Sequence, residues 1–235
     1  MLTLFPEGFE EVDHPDGVEL IAYTDPGGEE RIWSAFGAAH GREVEEGWED
    51  RWREFHRPVR LGPLWIGPPW LPAPEDAIAV VIDPGRAFGT GAHPTTRLCA
   101  ELMARRQRGS LLDAGCGSGV LAIAGAKLGF SPVFAVDVEE VAIEATLRNA
   151  AANGVSLTAF RADAFAEELP AVDLALANIT REGVAAAAGR LRCAWLISSG
   201  YLVVEPLELP GYRLVERVAE EGWAADLYAR RALRR

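Results

Sequence analysis

The chain has 235 residues, 49% of them hydrophobic and 25% charged, which excludes a disordered or fibrous polymer and leaves room for one sizeable domain with a small annex. Lys and Arg number 23 against 35 Asp and Glu, a net charge of −12, which argues against a broad duplex-DNA surface and favours a basic partner. The acidity is uneven: residues 1–70 carry 15 acidic against 6 basic side chains, and residues 71–235 carry 20 against 17.

Three segments are expected in chain order: a small N-terminal domain over 1–57, a Pro-rich linker over 58–74 and a larger domain over 75–235. In the first, apolar stretches 18–23 and 31–38 lie between Pro-Asp-Gly and Asp-Pro-Gly-Gly turn signals, which predicts a few strands. Trp48, Trp52 and Phe55 then recur at i, i+4 and i+7 and predict a helix whose aromatic face packs on a neighbour. Pro58, Pro63, Pro68, Pro69, Pro72 and Pro74 punctuate the linker around a possible strand at 64–67.

Beyond it, strand candidates at 78–82, 110–114, 133–136, 157–160, 172–177 and 194–198 alternate with helix candidates at 95–108, 118–128, 141–153 and 182–191. That alternation predicts an α/β fold with a mostly parallel sheet covered on both faces. Segments 212–219 and 223–230, joined across Glu-Glu-Gly, read as an antiparallel pair closing one sheet edge.

The odd, widely spaced set Cys99, Cys116 and Cys193 suits free thiols in a reducing compartment and offers no metal-ligand pairing. His14, His40 and His56 likewise lack ligand spacing and read as solvated side chains, so no metal is expected. No apolar run reaches about 18 residues and no leader pattern opens the chain, so a cytoplasmic monomer without membrane contact is expected.

The segment from Leu111 to Ala124 runs from a buried strand through Gly115, Gly117 and Gly119 directly into a helix, the arrangement of a nucleotide-type cofactor site. A dinucleotide fingerprint would place its third glycine one residue later, where Val120 stands, so the spacing suits a cofactor without a pyrophosphate. Asp137 ends the next strand, where its carboxylate accepts ribose hydroxyls or caps the following helix. Asp163, after the third strand, accepts from an adenine amino group or caps a turn.

The fourth strand delivers Asn178, followed by Ile179 and Thr180, to the same rim of the sheet. The loop 83–96 carries Phe88, then Thr90 between Gly89 and Gly91, and ends with His93 as the expected N-cap and Pro94 at the first helical position. Thr96 falls in the first turn, where free N–H groups favour a carboxylate. A capping His93 reads as structural, with proton transfer as the alternative.

The run from Ala87 to Thr96, the run from Asp113 to Ala124, Asp137 and Ala177-Asn178-Ile179 together resemble the PrmA family, S-adenosylmethionine-dependent enzymes that methylate a ribosomal large-subunit protein. The resemblance extends over about residues 47–235 and implies a class I methyltransferase, Rossmann-like sheet with a small N-terminal α+β domain. It implies that Phe88, Thr90, Thr96, Gly115, Gly117, Asp137, Asp163 and Asn178 bind S-adenosylmethionine, with Asn178 also acting in catalysis. The implied substrate is a basic ribosomal protein of the large subunit, methylated on lysine side chains or its N-terminal amine. The alternatives are a class I methyltransferase acting on another protein amine or a small molecule, a non-catalytic S-adenosylmethionine-binding module, and a nicotinamide-dependent oxidoreductase, which Val120 disfavours.

Overall fold

The computed structural model describes residues 10–14, 17–21, 32, 33, 35, 57–83 and 91–231, and the chain divides into two units, Met1–Arg53 and Glu54–Arg235. In the first unit, β1 (Glu10–His14) pairs antiparallel with β2 (Gly17–Ile21), with His14 opposite Gly17. Residues 32, 33 and 35 are helical where a strand was expected. The expected Trp48/Trp52/Phe55 helix lies outside the described residues.

In the second unit, β3 (Val59–Leu61) pairs antiparallel with β4 (Leu64–Gly67), and β4 pairs parallel with β5 (Ile78–Val81). The Pro-rich stretch expected as a linker therefore carries two strands, and Leu64 and Ile66 are buried in the main core. Its prolines sit at strand ends and turns, where no ladder N–H is required of them. Their carbonyls still accept: Pro63 from Ile78 N–H at 2.7 Å, Pro68 from Leu71 N–H at 3.2 Å and Pro74 from Ala77 N–H at 3.1 Å. β5 also departs from expectation, since it belongs to this three-stranded sheet and not to the main one.

The main sheet is built from β6 (Leu111–Ala114), β7 (Val133–Asp137), β8 (Thr158–Arg161), β9 (Val172–Asn178), β10 (Cys193–Leu202), β11 (Tyr212–Glu220) and β12 (Trp223–Arg230). Its order is β11-β12-β10-β9-β6-β7-β8; the last five are parallel, and the C-terminal pair closes one edge antiparallel, as the sequence predicts. The chain lays β7 and β8 on one flank of β6 and then returns to lay β9 and β10 on the other. The strand order thus reverses between β6 and β9, where open α/β sheets bind ligands.

Successive strand residues alternate between two cores. Leu111, Leu174 and Leu176 join Leu98 and Met103 of α1 (Pro94–Ala104), Leu121 and Ile123 of α2 (Val120–Lys127) and Ile143 of α3 (Glu140–Ala152). Leu112, Ala175 and Ala177 join Val184 and Ala187 of α4 (Arg181–Ala188). Each fully buried leucine contributes about 1.5–3 kcal/mol of transfer free energy, so both faces are covered for a physical reason.

Candidate active site

The turn between β6 and α2 needs backbone that only glycine adopts cheaply: φ is +80° at Gly115, +53° at Gly117 and +81° at Gly119. A Cβ on Gly115 would lie 2.4 Å from Ile179 Cγ2, so the turn packs directly against the residue after Asn178. From α3, Thr146 donates to the Gly117 carbonyl at 3.1 Å and Asn149 Nδ2 donates to the Ser118 carbonyl at 2.9 Å. Both side chains are buried. Sequence reasoning missed them, although Thr146, Asn149 and Asn153 share one helix face with the core residues Ile143 and Ala150.

Asp137 ends β7, and its Oδ2 accepts the Gly117 N–H at 3.0 Å while Oδ1 accepts the Glu139 N–H at 3.1 Å. Helix α3 starts later, at Glu140 with Glu139 as its N-cap, so Asp137 ties the glycine turn to β7 and does not cap the helix. Asp163 behaves as a turn residue: its Oδ1 accepts the Phe165 N–H at 2.8 Å and its own N–H goes to Glu167 Oε1 at 2.9 Å.

Asn178 ends β9, and its Nδ2 donates to the hydroxyl of Thr96 in the first turn of α1 at 3.4 Å. These two residues, 82 apart in sequence, meet at this rim. The expected free N–H groups of that turn are not free. Pro94 has none, His93 Nδ1 accepts from Thr95 N–H at 3.3 Å, and the His93 carbonyl accepts from Thr96 at 3.1 Å and Arg97 at 3.2 Å. His93 is the N-cap, and its ring packs edge-on against Trp223 with centroids 4.8 Å apart. Both contacts support the structural reading. Phe88 and Thr90 lie outside the described residues.

Arg97 joins this loop to the β11–β12 turn, where Nε meets Glu220 at 2.9 Å, the guanidinium meets Glu221 at 2.8 Å, and the Ala92 carbonyl accepts from it as well. Beneath the glycine turn, Asp113 is buried and accepts the Ala122 N–H of α2 at 3.1 Å. Burial, with a smaller contribution from the Asp137 charge, pushes its carboxyl up to about 7. Burial likewise raises the Cys116 thiol to about 12 and the Cys99 thiol further, so neither is a thiolate nucleophile. What the described residues offer is a sheet rim with a carboxylate at the end of β7 and an oriented carboxamide at the end of β9.

The family model described as ribosomal protein L11 methyltransferase (PrmA) matches residues 27–226. A ribosomal protein L11 methyltransferase of Nitrosococcus oceani is 47% identical over 116 residues, which is 48% of this chain and 40% of that protein. One of Gloeobacter violaceus is 39% identical over 192 residues, 75% of this chain and 61% of that protein. The chain thus spans between 40% and 61% of the length of these two relatives. A solved ribosomal protein L11 methylase of Lactobacillus delbrueckii subsp. bulgaricus superposes with a TM-score of 0.63 at 26% identity, covering 75% of this chain and 100% of that one.

Proposed function

Because the chain belongs to the ribosomal protein L11 methyltransferase (PrmA) family, we propose that it transfers methyl groups from S-adenosylmethionine to amines of ribosomal protein L11. The observation that carries this reading is the meeting, at one sheet rim, of the Gly115–Gly119 turn, the Asp137 carboxylate hydrogen-bonded to it at 3.0 Å, and Asn178 seated on Thr96.

The donor set fits an adenosyl sulfonium. Each Asp137 oxygen spends one lone pair on a backbone N–H and keeps another for a vicinal ribose hydroxyl. The bare backbone of Gly115 and Gly117 lines the approach, and Asp163, whose Oδ1 holds the turn through the Phe165 N–H, offers its other oxygen to an adenine amino group. When bound, the cofactor supplies a methyl group carried on a sulfonium sulfur.

A lysine amine attacks only when neutral, which at pH 7 costs about 4.6 kcal/mol from a pKa of ~10.4. The Thr96 hydroxyl takes the Asn178 NH2 group, and Asn178 Oδ1 accepts from no described residue, so that oxygen orients an amine N–H. Asn178 is not a base. Its part is to hold the amine in line while apolar surroundings desolvate the ammonium, and most of the rate comes from proximity.

The acidic front, residues 1–57, recognises the basic ribosomal protein and speeds the encounter. Three buried free thiols, Cys99, Cys116 and Cys193, support action in the cytoplasm. Among the described residues no helix is long and apolar enough to cross a membrane.

Calorimetric titration with S-adenosylhomocysteine, followed by incubation with methyl-labelled cofactor and purified ribosomal protein L11, tests both halves. Binding and label on the ribosomal protein are expected. No heat of binding overturns the cofactor assignment; binding without label overturns the substrate.

A further inference from the structure

Strand β10 is irregular at the rim that carries Asn178. Ser199 stands opposite Asn178 on β9, and between Ser199 and Tyr201 the pairing with β12 slips, leaving Gly200 as the extra residue of a bulge. Gly200 has a φ of +101°, and a Cβ there would lie 1.9 Å from the carbonyl oxygen and 3.2 Å from the nitrogen of Ile179. The bulge therefore lies flat against the peptide unit that follows Asn178.

Both residues flanking Gly200 are pinned. Ser199 Oγ donates to the Ala224 carbonyl at 2.7 Å. The Tyr201 hydroxyl, buried, stands 2.9 Å from Asp226 Oδ2 and 2.8 Å from Ser198 Oγ. Asp226 has no exposed surface and is neutralised by Arg217 through two contacts of 2.7 Å. A buried ion pair repays its desolvation poorly, and apolar side chains of similar volume often replace one without loss of stability. What these polar groups specify is geometry, because they tie both flanks of the bulge, Tyr201 to Asp226 and Ser199 to the Ala224 carbonyl.

We propose that Tyr201 is a positioning residue for the methyl transfer: its hydroxyl, hooked onto Asp226, fixes the Gly200 bulge against Ile179 and so holds the Asn178 carboxamide on Thr96. This rests on the reading of Asn178 as the group that orients the amine. Asp137 ends β7, three strands from β10, so the change reaches the cofactor only through Ile179, against which Gly115 also packs, and is felt more strongly in turnover than in cofactor affinity.

The test compares Tyr201→Phe, Ser199→Ala and Gly129→Ala in the full chain. Tyr201→Phe is expected to lower turnover at saturating cofactor and ribosomal protein L11 about tenfold, with cofactor Kd within about twofold of wild type. In nitrogen-15 correlation spectra the Asn178 side-chain amide signals, identified by their loss in Asn178→Ala, move in Tyr201→Phe and in Ser199→Ala. Gly129→Ala, away from the bulge and its anchors, lowers Tm through backbone strain but leaves those signals and turnover in place. The proposal is overturned if Tyr201→Phe leaves the Asn178 signals at their wild-type positions, or if Gly129→Ala displaces them equally. Wild-type protein that binds cofactor without methylating the ribosomal protein counts against the substrate assignment alone, and the amide signals still decide the role of Tyr201.

Discussion

Asn153 satisfies both backbone groups of Val81: the Val81 N–H donates to Asn153 Oδ1 at 2.8 Å and Asn153 Nδ2 donates to the Val81 carbonyl at 2.6 Å. One side chain, that of the C-cap residue of α3, thus does for the open side of β5 what a neighbouring strand does elsewhere. Replacing it by alanine leaves a donor and an acceptor without their partner at a part-buried site. Asn153→Ala is therefore expected to cost about 2–3 kcal/mol, read as a lower urea midpoint with an unchanged slope. A loss below about 0.5 kcal/mol would mean that water replaces the amide there.

Gly200 and Gly129 both have left-handed backbone, at φ +101° and +95°, yet their surroundings differ. A Cβ on Gly129 meets nothing within 4 Å, whereas on Gly200 it strikes the Ile179 backbone at 1.9 Å. Gly129→Ala pays conformational strain alone, about 1–2 kcal/mol. Gly200→Ala adds a collision with atoms that have no rotamer to retreat into, and its loss is expected to exceed that of Gly129→Ala by at least about 2 kcal/mol. Melting temperatures of the two variants, measured side by side, check this; equal losses would contradict it.

These contacts mark where the sequence was legible. The Leu111–Gly119 strand, turn and helix entry were readable because every signal is local: an apolar run, glycines at alternate positions and a helical pattern after them. Asn178 was readable because it ends a strand, and strand ends in a parallel sheet share a rim. Asn149 and Asn153 were not, since a polar residue on a helix ordinarily faces water, and Val81 lies 72 residues from Asn153. The segment 58–74 was read as a linker because proline removes a ladder donor, but Pro63 and Pro68 sit just outside β4, where that loss is harmless. The first turn of α1 reads as open because a cap side chain closes only one N–H; here His93, the expected N-cap, takes Thr95 through Nδ1 and Thr96 and Arg97 through its carbonyl.

Asp113 predicts a pH-dependent term in stability. Its carboxyl titrates near 7 in the folded chain against an ordinary value of 3.8, because burial penalises the charge. Between those values the folded chain binds more protons than the unfolded one. The stability this group contributes is therefore complete below about pH 4 and is lost as pH climbs through about 7. Asp113→Asn keeps the shape and an acceptor for the Ala122 N–H while removing the titration. The variant is expected to gain on wild type as pH rises from 4 to 8, by up to about 4 kcal/mol. A difference in Tm that stays constant over that range would show that Asp113 ionises normally.

Asp137 and Asn178 should separate binding from turnover. Asp137 holds the Gly117 N–H and offers its remaining lone pairs to the ribose, so Asp137→Ala loosens the turn and removes the acceptor together. Its effect is expected in cofactor affinity, a loss of about ten- to a hundredfold in Kd for S-adenosylhomocysteine, since charge-assisted hydrogen bonds are worth about 1.5–3 kcal/mol. Asn178→Ala removes the carboxamide seated on Thr96 but leaves the β7 side of the rim intact. Its effect is expected mainly in kcat, at least about tenfold, with cofactor Kd within about threefold of wild type. Calorimetry gives the two dissociation constants and single-turnover methylation gives the two rates. If Asn178→Ala weakens cofactor binding as much as Asp137→Ala while its single-turnover rate is unchanged, Asn178 is a cofactor ligand only, and orientation of the amine falls to other residues.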